Sequence, residues 1–351
     1  MSHSNFLPPP ITSQTLSLLE QIGEALGILS QNTSLQKDLR LRRISTARTV
    51  QASLQIEGNT LSLDQVTALL EGKRVMAAPR DIQEIKNAIE AYENIGKWDP
   101  WSDEDLLQAH RILMKGLVDD PGLYRTGSAG IKRGEELVHI APPAQMVPPL
   151  MNELFTFINK LNLHPLITSS VFHYEFEYIH PFSDGNGRLG RLWQTLILYK
   201  WKPVFAVLPI ESVIRDHQEE YYSALNQSNK EVHPGSFVEF MLRIILETLQ
   251  EFQTSVTPPV TPPVKELLRL LGEHGPLSNQ EILSAFGLRD RRRLRETYIN
   301  PALKAGLIEY TIPEKPTSRN QQYRLTPSGT ECYKIILKHT PNSPPNTGDF
   351  E

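Results

Sequence analysis

Between residues 180 and 191 the chain reads His180-Pro181-Phe182-Ser183-Asp184-Gly185-Asn186-Gly187-Arg188-Leu189-Gly190-Arg191. Each residue type in that run can do something specific to a nucleotide phosphate. Histidine is the side chain whose ordinary pKa lies nearest neutral pH, so His180 suits a general base. Asp184 is a hard oxygen ligand of the kind Mg²⁺ prefers. Gly185-Asn186-Gly187 forms a turn that leads into a helix, so its N–H groups can face an anion with the helix dipole behind them. Arg188 and Arg191 stand three residues apart, share a helix face and can grip phosphate oxygens. A base, a metal ligand, a phosphate cradle and two cationic clamps together describe attack on a nucleotide phosphate.

Competing readings of the run fail on context. Gly185, Gly187 and Gly190 match the dinucleotide-binding spacing, but no strand precedes them and no alternation of strand and helix surrounds them. No Gly-Lys-Ser/Thr follows the turn, so it is not a P-loop.

The run resembles the Fic family signature His-x-Phe-x-Asp/Glu-Gly-Asn-Gly-Arg-x-x-Arg at every fixed position. The resemblance implies an enzyme that transfers AMP from ATP, with Mg²⁺, to a Ser, Thr or Tyr hydroxyl of a target protein and of itself. By position, His180 would take the hydroxyl proton and Asp184 would hold the metal. Gly185, Asn186 and Gly187 would line the anion hole, and Arg188 and Arg191 would bind the β/γ end. Relatives that use another nucleotide donor, or that remove AMP, keep the same fold; intact Arg188 and Arg191 favour a triphosphate.

Further upstream, Ser53-Leu54-Gln55-Ile56-Glu57-Gly58-Asn59 resembles the family's inhibitory motif Ser/Thr-x-x-x-Glu-Gly/Asn. Glu57 near a helix end could pair with Arg191 and occupy the place wanted by the γ-phosphate. Tyr124-Arg125 to Pro142-Pro143 resembles the family's flap, a hairpin that docks a target segment by strand addition. Val138, His139 and Ile140 would then lie near the nucleotide, although His139 could equally be a flap residue without chemistry. Tyr221 and Asn229, about two helical turns apart, resemble the adenine-side helix; the alternative is that the tyrosines belong to the core. The other histidines show no metal-ligand spacing.

The elements that must position these residues are mostly helices. Apolar periodicity and capping signals predict helices over 14–30, 36–57, 63–71, 81–95, 103–117, 146–161, 166–178, 188–201, 211–227 and 234–253. A hairpin is expected around Arg133-Gly134. Val256-Thr257-Pro258-Pro259-Val260-Thr261-Pro262-Pro263 reads as a stiff linker. Beyond it come an amphipathic helix over 265–272, a second helix capped by Ser278, a third opened by Asp290 and a hairpin of Leu307–Tyr310 with Gln322–Leu325. That order resembles a winged helix. Arg289, Arg291, Arg292, Arg293 and Arg295 lie where a recognition helix meets DNA phosphates, although many such modules are docking platforms instead.

The expected fold is therefore mainly α: a Fic-type helical domain with a β-hairpin flap, then a small winged helix-turn-helix α+β domain. The boundaries are an arm and helix over 1–35, the catalytic domain with its inhibitory helix over 36–256, a linker over 257–263, the winged-helix-like domain over 264–338 and a disordered tail over 339–351. Of the 351 residues 39% are hydrophobic, which is ample for a core, and the formal net charge of -4 argues against a chain that coats nucleic acid along its length. Charge is uneven: residues 258–340 carry a net of +5 and residues 1–257 a net of -7. A single cysteine, Cys332, excludes an internal disulfide and fits a reducing compartment. With no secretory start or membrane span in view, the cytoplasm is the expected location. The resemblance makes a homodimer the expected assembly. A rival from another class is a DNA-binding regulator whose site only senses ATP.

Overall fold

The computed structural model describes residues 6–30, 39–133, 136–256, 261–316 and 318–338. The chain divides into two compact units, residues 1–252 and 253–351. The expected tail, most of the linker and parts of the N-terminal arm lie outside the described residues.

The first unit is helical. Its helices are α1 (Ser13–Ser30), α2 (Leu39–Ile56), α3 (Leu63–Leu70), α4 (Pro79–Asn94), α5 (Asp103–Leu113), α6 (Val147–Leu161), α7 (Pro165–Ile179), α8 (Asn186–Trp201), α9 (Ile210–Asp216), α10 (Gln218–Glu231) and α11 (Gly235–Val256). Strands β1 (Gly130–Arg133) and β2 (Glu136–Ile140) form one antiparallel hairpin. Helices α7 and α8 are the centre of the unit. Almost every residue of α7 is buried, as is α8 from Arg188 to Leu198. A helix buried on all sides needs partners all round; α6, α5 and α2 supply them. Trp193 of α8 anchors this core, stacked on Trp98 and donating its indole N–H to the Pro100 carbonyl at 2.9 Å.

Local chemistry explains the helix ends. Ser62 and Gln65 form a reciprocal capping box at the start of α3, and Ser102 accepts from the Asp105 N–H at the start of α5. Helix α2 closes in a Schellman turn: the Asn59 N–H reaches the Leu54 carbonyl and the Gly58 N–H that of Gln55. Gly58 adopts φ +93°, which a glycine takes without a Cβ clash.

Several expectations are corrected. Helix α5 stops at Leu113 instead of running to 117, because a turn through Gly116 at φ +72° follows it. The predicted helix 211–227 is two helices broken at His217, whose ring faces Glu220 and Glu247 at 2.9 and 3.1 Å. In the hairpin, the pairs Ile131↔His139 and Lys132↔Leu137 leave Val138 as an extra residue, a β-bulge.

The second unit contains α12 (Pro262–His274), β3 (Leu277–Ser278), α13 (Asn279–Ala285), α14 (Arg291–Leu294), α15 (Asn300–Lys304), β4 (Ile308–Tyr310), β5 (Gln322–Leu325) and α16 (Pro327–Lys338). Its antiparallel sheet has the order β3-β5-β4. Pro262 and Pro263 belong to α12 and not to the linker, since proline is tolerated in a first helical turn. Val264, Leu267, Leu268 and Leu271 form its buried stripe. The third helix is interrupted by a π-turn at Arg295–Ile299, next to Pro301, which has no N–H for the preceding turn. Strand β3 and helix α16 were not anticipated. Thr326 caps α16 by accepting the Gly329 N–H, and Tyr333 lies against Gly272, where a Cβ would come within 2.6 Å of its ring.

Candidate active site

The run 180–191 is the junction between α7 and α8. His180 caps α7 in the left-handed conformation, φ 52° and ψ 61°, with its N–H on the Phe176 carbonyl. A non-glycine residue there is strained and must be held by its surroundings. Arg125 supplies much of that hold. Its guanidinium donates to the carbonyls of His180 (2.7 Å), Ile179 (3.3 Å), Gly127 (2.9 Å) and Pro142 (2.6 Å), while the Arg125 N–H reaches the Pro181 carbonyl at 2.9 Å. One buried arginine thus ties the His180 turn to both feet of the hairpin.

The loop itself is braced from within. Phe182 is fully buried, stacked on His110 at 3.7 Å and against Tyr124 and Phe176. Asn186 accepts from the Phe182 N–H and donates to the Phe182 carbonyl, each at 2.9 Å. The Asn186 side chain is therefore spent on shaping the loop, and its contribution to an anion is its backbone N–H. Gly185 begins α8 at φ +85°; a Cβ there would meet Met114 Sδ at 2.6 Å. The first N–H groups of α8 have no intrahelical acceptor.

His110 supports the loop from α5. Its Nδ1 accepts the Gly122 N–H at 2.8 Å, so Nε2 carries the proton and donates to the Asp184 carbonyl at 3.0 Å. Burial lowers the His110 pKa to about 4, which keeps the ring neutral.

Both arginines are engaged by the chain's own acceptors. Arg191 is 2% exposed and donates to Glu57 Oε1 (2.7 Å), the Ser53 carbonyl (2.9 Å) and Ser53 Oγ (3.1 Å). Burial is the largest influence and opposes its charge, but Glu57, Tyr221 and Glu177 together outweigh burial and hold its pKa above the ordinary value. Glu57 follows the last residue of α2, and its carboxylate lies against Gly187, where any Cβ would overlap Oε1. Arg188 reaches Asp184 Oδ1 at 2.7 Å and Glu84 Oε1 at 3.3 Å. Glu84 in turn accepts from Asn59 Nδ2 at 2.9 Å, so Asn59, beside Glu57, is linked to the second clamp. The Asp184 side chain is 42% exposed, with Arg80 at 3.7 Å from Oδ2.

Not every expected residue meets this site. Tyr221 is 1% exposed, packed among Phe237, Phe240 and Tyr222, and its hydroxyl bonds His173 Nε2 at 3.0 Å. It is a core residue, the alternative that the sequence left open, and it lies close enough to Arg191 and Glu177 to feel their charges; Tyr222 is only half-buried. Asn229 Oδ1 accepts from the Tyr174 hydroxyl at 3.0 Å. Val138 and His139 sit at the hairpin bulge, and Ile140 ends β2 with its side chain 72% exposed. Glu84, His110, Arg125 and Glu177 were not singled out by sequence reasoning as site residues.

These features define a class: a helical scaffold whose central helix presents its N-terminus and two arginines beneath a strained histidine turn. Residues 100–198 match the model of the Fic/DOC family, and residues 262–326 match that of the "Filamentation induced by cAMP protein Fic-like, C-terminal domain". A Fic family protein of known structure from Desulfovibrio desulfuricans G20 is 49% identical, with 92% of this chain and 99% of that one covered and a TM-score of 0.68. A Fic domain containing signaling protein from Bacteroides thetaiotaomicron VPI-5482, 22% identical, shares the fold over 68% of this chain and 95% of its own, with a TM-score of 0.54. The chain belongs to the Fic family. It is 28% identical over 214 residues to protein adenylyltransferase Fic of Nematostella vectensis and 29% identical over 245 residues to that of Aedes aegypti. Those matches take in 58% and 66% of this chain but 47% and 46% of the relatives, so it spans about half their length.

Proposed function

We propose that the chain transfers AMP from ATP to a Ser, Thr or Tyr hydroxyl of a protein, itself included, and that Glu57 restrains the transfer. The observation that carries this reading is the Glu57–Arg191 contact at the first turn of α8. A carboxylate of the chain sits on the buried cation and against Gly187, which a phosphate would also approach. The curated relatives named protein adenylyltransferase support the same chemistry.

With Glu57 withdrawn, Arg188 and Arg191 hold the β/γ end and the α8 N–H groups face the phosphates. The target oxygen attacks the α-phosphorus as its proton passes to His180. The bond from the α-phosphorus to its bridging oxygen breaks, and pyrophosphate leaves. Backbone pairing along the hairpin would present the target segment. Asp184 is one partly exposed carboxylate already shared with Arg188, and no cluster of three or more potential metal ligands exists among the described residues. That donor set fits Mg²⁺ brought in by the nucleotide and completed by phosphate and water; the ion would neutralise phosphate charge. The test uses ATP labelled at the α- or the γ-phosphate. Protein-bound label from the α position alone supports AMP transfer; label from γ alone, or none from Glu57→Gly protein, contradicts it. Parallel trials with other labelled nucleotides, and with AMP-modified protein, address another donor and AMP removal.

For the second unit, the chain order and the β3-β5-β4 sheet support a winged-helix reading. Arg289, Arg291, Arg292, Arg293 and Arg295 are all exposed around α14. That row of cations suits either a phosphate backbone or an acidic protein surface, and the salt dependence of DNA binding separates the two. No described helix is long and apolar enough to cross a membrane.

A further inference from the structure

Glu177 is a buried carboxyl group at the centre of the site for which the chemistry above has no use. It lies three residues before His180 on α7, and its Oε2 is 3.9 Å from His180 Nδ1. Its Oε1 is buried and has no hydrogen-bond partner among the described residues. A buried carboxyl oxygen without a partner costs free energy, so its retention here needs an explanation. The room it occupies is left by Gly190, where a Cβ would come within 3.2 Å of Glu177 Oε1 and 3.1 Å of His173. His173 cannot serve as its donor. The His173 Nδ1 stands against Gln194 Oε1 and its Nε2 against the Tyr221 hydroxyl, and burial lowers its pKa to about 3.

We infer that Glu177 is the positioning residue of His180: its ionised carboxylate accepts Nδ1–H and thereby leaves Nε2 unprotonated to take the target proton. The inference rests on the AMP-transfer reading and deepens it. The 3.9 Å separation is about 1 Å longer than a hydrogen bond, so the carboxyl must move by that much to accept the proton. The opposite protonation state disables the base. A protonated Glu177 donates to Nδ1, which puts the ring hydrogen on Nε2 and leaves nothing there to accept a proton. The step balances: the target O–H proton goes to Nε2, and the imidazolium formed is held by the carboxylate at Nδ1.

The surrounding charges set when this happens. Burial raises the Glu177 pKa to about 8; Arg191 on α8 lowers it and Glu57 at the end of α2 raises it. His173 on α7 and Tyr221 on α10 are the other titratable groups facing it, and Arg125 holds the His180 carbonyl. Glu57 thus acts twice, on Arg191 directly and on the base through Glu177.

The test compares Glu57→Gly with Glu57→Gly/Glu177→Gln, each checked for an unchanged fold by thermal melting. Two readouts are needed: the pH profile of AMP transfer, and the His180 ring pKa from NMR of the nucleotide-free protein. In the parent variant, activity should rise with pH through the carboxyl ionisation. Gln keeps the shape but cannot ionise, so the acid limb should move to lower pH, kcat should fall about tenfold to a hundredfold and the His180 pKa should drop by about one unit. An unmoved acid limb together with an unmoved His180 pKa would overturn the inference. If Glu57→Gly itself transfers no AMP, the transfer reading fails, while the NMR titration still decides whether Glu177 governs His180.

Discussion

Replacing Glu57 by glycine should tighten ATP binding and leave AMP binding nearly unchanged. The magnitude follows from the pair's setting. Arg191 is buried, whereas the Glu57 side chain is 32% exposed. Exposed ion pairs contribute about 0–1 kcal/mol, and breaking a buried pair costs about 3–5 kcal/mol. A pair between those limits takes about 2 kcal/mol to separate, which ATP must supply before Arg191 can accept a phosphate. At about 1.4 kcal/mol per tenfold, the variant should bind ATP roughly 30-fold more tightly. AMP lacks the β- and γ-phosphates, so its affinity should shift by less than about threefold on the same ground. Isothermal titration with ATP, ADP and AMP in the presence of Mg²⁺ gives the comparison. Without nucleotide the variant should melt lower than the parent, because Arg191 keeps only its Ser53 acceptors; ATP should restore it. Equal gains for ATP and AMP, or no gain for ATP, would refute the reasoning that Glu57 stands where a terminal phosphate belongs.

Other consequences are open to measurement. Gly185→Ala places a Cβ at φ +85° against Met114, so denaturant melts should show a loss of about 2–3 kcal/mol; an unchanged midpoint would mean that the α8 entry is not strained. The buried titratable groups also predict a stability profile. Burial lowers His110 to about 4 and His173 to about 3, and raises Glu175 and Glu177 to about 8. The depressed histidines cost stability as pH falls below their ordinary 6.5, and the raised carboxyls cost stability as pH rises above 4.5. The two effects offset each other between those values, so Tm should decline from about pH 6.5 to 8, and Glu175→Gln should lessen that decline. If the five exposed arginines around α14 each meet a DNA phosphate, log K against log salt should have a slope of about -4.5. Absence of any DNA shift at low salt would assign that face to another partner.

The parts of the site that were legible in the sequence are those whose geometry is local. Helix periodicity places Arg188 and Arg191 on one face, and Gly58-Asn59 after a helix signals the turn that delivers Glu57. The residues that were not legible act across long separations. Arg125 holds a carbonyl 55 residues away, His110 one that is 74 away, and Glu84 meets an arginine 104 away. Nothing in the local pattern distinguishes them from a surface arginine, a core histidine or a solvated glutamate. Tyr221 is the converse case: its spacing with Asn229 gives a shared helix face, but which neighbour covers that face depends on Phe237 and Phe240 of α11, so the sequence left both readings open. In the second unit, Thr326 before Pro327 was an available helix-start signal for α16. The π-turn before Pro301 balances a missing N–H against packing, and no pattern of residue types reports that balance.

The most direct test of the central claim is mass spectrometry of three proteins after incubation with ATP and Mg²⁺: the parent chain, Glu57→Gly and Glu57→Gly/His180→Ala. Covalently bound AMP should appear on the single variant, far less on the parent and none on the double variant. Equal modification of the parent and the single variant would remove Glu57 as the restraint. AMP transfer by the double variant would contradict His180 as the base.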